Sequence, residues 1–251
     1  MPQFFKQLFG MFLVVIFSTS CGCVTLSNSV NFKNAPRESF VKVEVLTTDH
    51  ASVGSGVIIN HLDNLNTIIL TAGHVCDFNT VAMRVLDLNE NKYPVIGFAV
   101  SAEDDLCLLI IQSVIDAKPL AVTKSNPKIG EHIYNIAAPL GLHAPNVALM
   151  FDGYYQGNIK FMEEKHPYSV YNLVGAGGSS GSPIFNDDWE IIGIISRGIP
   201  EFQNVMLGVS QERVKLFYDY SFSSEFKIKV LEAKNKIKQK FSDKIKEILD
   251  K

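Results

Sequence analysis

The sequence predicts an all-β protein built as two six-stranded antiparallel barrels, followed by a C-terminal amphipathic helix. Three observations carry that prediction. Short runs that are apolar or alternate in polarity recur along the chain, each bounded by turn residues. They fall into two sets of about six, before and after a linker at 119–128, PLAVTKSNPK. No strand–helix–strand alternation separates them, which argues against a parallel α/β sheet.

The first set opens with FVKVEVL at 40–46, which alternates strictly over most of its length. SVGSGVIIN at 52–60 is a glycine-punctuated strand, and 66–71, 81–86, 95–100 and 106–112 follow. The second set runs through 132–137, 149–160, 168–174, 183–185, 191–196 and 205–209. Residues 38–118 therefore form the first barrel and 119–215 the second. Over 216–251 the period changes. Phe226, Val230, Ala233, Ile237, Phe241, Ile245 and Ile248 recur three or four residues apart, with lysines on the other face. That helix is expected to pack on the barrels. Homo-oligomerisation through it, or a membrane-surface contact, is the alternative.

A chain of 251 residues, 47% hydrophobic and 20% charged, can bury a sizeable core. Its net charge of −3 gives no general affinity for nucleic acid. The charge is uneven: residues 225–251 hold nine lysines against five acids, which leaves 14 basic and 21 acidic residues elsewhere. At the N-terminus, LFGMFLVVIF at 8–17 has the length of a signal-peptide core and falls short of the roughly 20 apolar residues that span a bilayer. Residues 1–23 are read as an export signal, placing the protein in the periplasm or cell envelope, and 24–37 as a linker. Cys21 and Cys23 sit where bacterial lipoproteins carry their lipidated cysteine, although the usual leucine three positions upstream is missing. Cys21 is the lipidation candidate and would supply a membrane tether. The remaining pair, Cys76 and Cys107, is read as buried free thiols.

Three segments carry chemistry. A serine hydroxyl is a poor nucleophile unless a base, a group orienting that base and donors for an oxyanion converge on it. IILTAGHVC at 68–76 delivers His74 from a strand to a turn. EDDLCLL at 103–109 sends an acid into an apolar run, and a buried carboxylate needs a partner such as an imidazole N–H. Asp105 adjoins the run directly. GAGGSSGSPIF at 175–185 permits a sharp turn presenting Ser180, with the N–H groups of Gly178 and Ser180 positioned for an oxyanion. Ser179 and Ser182 compete for the nucleophile's role. The six histidines include no HExxH or similar spacing, so neither a metal nor a cofactor is expected.

TAGH, DLCLL and GSSGSP resemble the three active-site motifs of chymotrypsin-fold serine proteases, in the order His, Asp, Ser. Separations of 31 and 75 residues between them are similar to those of compact HtrA/DegP-type enzymes. GSGVIIN at 54–60, IGEHIYNIAAPLGL at 129–142 and IIGIISRG at 191–198 resemble further segments of that family, with Ala138 where glycine is usual. The resemblance spans about 38–215 and implies Greek-key barrels and a serine endopeptidase acting on proteins or peptides through His74, Asp105 and Ser180. It further implies that Ser196 supports Asp105, and that Ser196, Arg197 and Gly198 bind substrate as an added strand. Ser179 stands where trypsin-like zymogens carry an aspartate, so activation through that salt bridge is not expected. Ile195 replaces the histidine of glutamate-specific relatives. Val174 stands where trypsin carries its basic-residue-reading aspartate, which implies an apolar pocket for small or medium aliphatic side chains. About 35 residues follow the barrels, too few for the PDZ domain usual in HtrA proteins. A catalytically inactive binding module at the cell envelope is the rival reading, but its sign, a broken triad, is absent.

Overall fold

The computed structural model describes residues 32–76 and 80–249. The signal segment at 1–23, with Cys21 and Cys23, and the linker as far as residue 31 lie outside the described residues. The residues up to Asn34 form one unit and Ala35–Lys251 another. Every strand and both α-helices belong to the second.

Among the described residues, twelve strands close into two barrels. The first holds β1 (Phe40–Thr47), β2 (Ala51–Leu62), β3 (Asn66–Ala72), β4 (Thr80–Leu86), β5 (Lys92–Ser101) and β6 (Leu106–Ile111), in the ring order β1-β2-β3-β6-β5-β4. The second holds β7 (His132–Ala137), β8 (Leu149–Ile159), β9 (Tyr168–Asn172), β10 (Pro183–Phe185), β11 (Ile191–Ile199) and β12 (Phe202–Val209), in the ring order β10-β11-β12-β9-β8-β7. All named pairs are antiparallel.

Alternation explains β1, where Val41, Val43 and Val45 point into the first core with Ile58, Ile69, Val85 and Leu109. β3 and β6 are buried along their whole length, on both faces, which is why β6 reads as an unbroken apolar run and β3 carries Ile68, Ile69 and Leu70 in succession. Ile133, Tyr155, Tyr171, Ile184, Ile192 and Met206 build the second core. The stretch between the barrels is pinned to both: Leu120 N–H donates to Ile58 O at 2.9 Å and Thr123 N–H to Ile191 O at 3.0 Å.

Two helices follow. α1 (Gln211–Tyr220) starts inside the segment assigned to the second barrel, and α2 (Ser224–Leu249) follows a break at Ser221. The Ser223 hydroxyl accepts the N–H of Phe226 at 3.1 Å and so caps α2. Phe226 and Val230 are buried, and Ala233 lies so close to Gly97 of β5 that a β-carbon there would come within 2.9 Å of it. α2 thus straps the first barrel. The side chains of Ile237, Phe241, Ile245 and Ile248 lie outside the described set. Among the described residues no helix is long and apolar enough to cross a membrane.

Cys76 and Cys107 are not free thiols. They form a disulfide across 31 residues of sequence. Strict continuation of the β3–β6 ladder, in which Thr71 faces Cys107, would carry residue 76 past its partner. The single 3-10 turn Gly73–Val75 bends the chain back over β6 and brings the two sulfurs together inside the first core. Closing a loop of that length restrains the unfolded chain. The double variant Cys76→Ser/Cys107→Ser is therefore expected to lose about 3–4 kcal/mol of stability in urea unfolding; unchanged unfolding curves would contradict this.

Candidate active site

His74 and Asp105 come from the adjacent ends of β3 and β6. Their approach requires a glycine: a β-carbon on Gly73 would lie 2.9 Å from the Asp105 carbonyl carbon. Asp105 itself adopts a left-handed backbone, φ 51°, which aspartate tolerates better than most residues. Its Oδ1 accepts the His74 backbone N–H at 2.8 Å, and both carboxyl oxygens lie 3.0 Å from Nδ1 of the ring. The Ser196 hydroxyl of β11 donates to Oδ2 at 2.5 Å. Burial pushes the Asp105 pKa up, but the His74 ring, the Ser196 hydroxyl and the His74 N–H together outweigh it. The net result is a carboxyl below its ordinary value.

Ser180 arrives from the second barrel on the turn between β9 and β10. Two glycines make that turn feasible. Gly178 has φ 95°, and a β-carbon there would meet Ala138 O at 2.5 Å; Gly181 has φ 83°, and one there would meet Ser55 O at 2.2 Å and Thr71 Oγ1 at 2.1 Å. Of the three serines in the run, Ser179 and Ser182 are buried. Ser179 Oγ accepts the Ala176 N–H, and Ser182 Oγ accepts from the Asn135 amide at 2.8 Å. Ser180 alone of the three lines the cavity shared with His74 and Asp105, a volume of about 680 Å³. Its hydroxyl donates to the Ser196 carbonyl at 3.3 Å, and it makes no hydrogen bond to His74. Among the described residues, the backbone N–H groups of Gly178 and Ser180 have no hydrogen-bond acceptor in the protein.

The cavity also takes in Ser196, Arg197 and Gly198, but not Val174. Val174 is 54% exposed. The next residue, Gly175, faces Met206 instead: a β-carbon on it would lie 2.6 Å from the Met206 sulfur. Met206 pairs with Gly198 across β11 and β12, so its thioether fills the space between two glycines at the cavity wall.

Sequence reasoning missed Ser55 as well. This residue of β2 is fully buried, and its hydroxyl donates to Gly178 O at 2.8 Å while accepting the Ala138 N–H at 3.0 Å. Its own N–H donates to Ser180 O at 2.8 Å. The only signal was a serine between two glycines at 54–56. Glu103, Asp104 and His166 gather donor atoms within 4.8 Å of one another, but their charges are already answered. Arg213 meets Asp104 at 2.5 Å, and Lys165 meets Glu103 at 2.7 Å. That cluster clasps the Asp105 turn to the loop before β9 and to α1.

Two six-stranded barrels meeting at a serine, a histidine and an aspartate define the chymotrypsin-fold class of serine proteases. Residues 54–194 match the family described as the trypsin-like peptidase domain, and the chain belongs to that family. A probable periplasmic serine endoprotease, DegP-like, from Pseudomonas fulva is 30% identical over 151 residues; these cover 58% of this chain and 29% of the relative. The chain thus spans under a third of that relative's length. The Rv3671c protease of M. tuberculosis, in its active form, is similar at TM-score 0.60 and 15% identity over 71% of this chain and 78% of its own. The serine endoprotease of Yersinia pestis gives 0.59 at 19% identity, over 73% and 62% respectively. Both likenesses are of fold.

This geometry has two measurable consequences. Ser55→Ala strands the Gly178 carbonyl and the Ala138 N–H, and is expected to cost about 1–3 kcal/mol in urea unfolding; a neutral variant would show that the loop does not lean on Ser55. The lowered Asp105 pKa makes its contacts stabilising above the ordinary carboxylate range, and that contribution is lost as pH falls through the lowered value. The stability gap between wild type and Asp105→Asn should therefore shrink as pH is lowered from about 5 to about 2. A flat gap would contradict the assignment.

Proposed function

We propose that the protein is an exported serine endopeptidase, with Ser180 as nucleophile, His74 as general base and Asp105 as the group that orients it. The observation that carries this reading is the selective exposure of Ser180: its two neighbouring serines are buried and bonded, whereas it opens onto the cavity that holds His74. With Nδ1 facing the carboxylate, the ring carries its proton there and leaves the Nε2 lone pair toward the cavity. A substrate amide that takes the Ser196 carbonyl releases the Ser180 hydroxyl, which turns to His74. Nε2 accepts the hydroxyl proton as Oγ attacks the scissile carbonyl, and the N–H groups of Gly178 and Ser180 receive the oxyanion. The protonated ring then gives its proton to the leaving amine. Water, deprotonated by the same nitrogen, hydrolyses the acyl-enzyme and restores Ser180.

Met206 narrows the pocket between Gly175 and Gly198, which supports a preference for small or medium aliphatic side chains before the scissile bond. The Cys76–Cys107 disulfide supports export, because such bonds persist in oxidising compartments. The apolar stretch at 8–17 supports it too, and the P. fulva relative is described as periplasmic. Lipid attachment at Cys21 would add a membrane tether. An inactive binding module is disfavoured by the intact His74–Asp105–Ser196 network.

Hydrolysis of casein and of quenched peptides by wild type, Ser180→Ala and His74→Ala tests the reading. Each variant is expected to lose about four or more orders of magnitude in kcat while keeping the wild-type circular dichroism. Hydrolysis that survives in Ser180→Ala would remove it as the nucleophile.

A further inference from the structure

β11 offers a vacant strand edge beside the nucleophile. Its pairing with β10 ends where Pro183 meets Ile194, while pairing with β12 continues as far as Ile199. Among the described residues, Arg197, Gly198 and Ile199 pair with β12 alone, and residues 196–199 line the cavity. With the scissile carbonyl at Ser180, upstream substrate residues running outward along this edge pair antiparallel with it. The first lies at Ser196, the second opposite Arg197 and the third opposite Gly198. Side chains alternate across a strand, so the second and fourth residues share the face on which Arg197 stands.

Arg197 is held ready on that face. Its guanidinium lies over the Tyr168 ring, 4.5 Å from the centroid, and the side chain is half exposed. Nη2 donates to Glu164 at 2.9 Å and to the Tyr168 hydroxyl. Nε and Nη1 have no acceptor among the described residues. A guanidinium has five donors in a rigid fork and can bridge two carboxylates. Here one nitrogen is spent on fixing the plane, and Arg197 also lines a second cavity of about 490 Å³. That cavity is also lined by Phe161, Met162, Ile199 and Pro200, and by two acids, Glu163 and the Glu164 that already pairs with Arg197.

We propose that Arg197 selects substrates with an acidic side chain on this face, at the second or fourth residue before the scissile bond. This rests on the endopeptidase reading above. The test is a set of quenched peptides carrying Ala, Glu, Asp or Lys at each of the first four upstream positions, hydrolysed by wild type, Arg197→Gln and Arg197→Lys. An acid at the second or fourth position should raise kcat/KM about tenfold over alanine, chiefly through KM. The ratio of acid to alanine, read within each variant so that general activity cancels, should fall to about one in Arg197→Gln and partly recover in Arg197→Lys. In wild type the same ratio should shrink at high salt.

Hydrolysis with no acid preference, or with one confined to the first or third position, overturns the inference and leaves the protease standing. So does a preference that persists in Arg197→Gln. A preference for lysine on the same face would assign that face to Glu164 instead, and also overturns it. If wild type hydrolyses no peptide, the endopeptidase reading falls and this inference falls with it.

Discussion

The hydroxyl of Ser55 holds the site together. Buried on β2 of the first barrel, it bonds the Gly178 carbonyl of the Ser180 turn and the Ala138 N–H just past the end of β7, while its backbone N–H bonds Ser180 O. Thr71 on β3 donates to Ser55 O at 2.7 Å and fixes the residue from behind. A turn of glycines and serines has little rigidity of its own, since glycine loses the most backbone entropy on folding. Here its carbonyls are fastened to the other barrel, which leaves the N–H groups of Gly178 and Ser180 unspent. A buried polar network of this kind stabilises only when every member is satisfied. That condition ties the shape of the Ser180 turn to the docking of the barrels.

The same docking assembles the rest. His74 and Asp105 belong to the first barrel, Ser180 and Ser196 to the second, and the Ser196–Asp105 bond crosses between them. The β3–β6 ladder sets His74 against Asp105, and two residues further along each segment the disulfide closes the same corner. The His74–Asp105 pair and the cavity-lining Ser180 thus come from different barrels.

Much of this was legible in the sequence. β7 and β10 begin and end where the runs read at 132–137 and 183–185 do. β11 runs three residues past its apolar stretch. Arg197, Gly198 and Ile199 pair with β12 at a surface, where no hydrophobic signal marks the strand. α1 escaped notice because it buries little beyond Val214 and Gln211, too short a stripe to show a helical period. The disulfide depends on one 3-10 turn, which ladder counting from β3 does not reveal. Met206 shows the same limit. Nothing in the local sequence marks it; its pairing with Gly198 places it at the cavity wall.

The central claim is that Ser180, and neither of its neighbouring serines, is activated by His74. The most direct test is to treat the folded protein with a fluorophosphonate and map the adduct by tandem mass spectrometry. The predicted result is a single adduct on Ser180 that disappears in His74→Ala. An adduct on Ser179 or Ser182, or labelling of Ser180 that His74→Ala leaves undiminished, would contradict it.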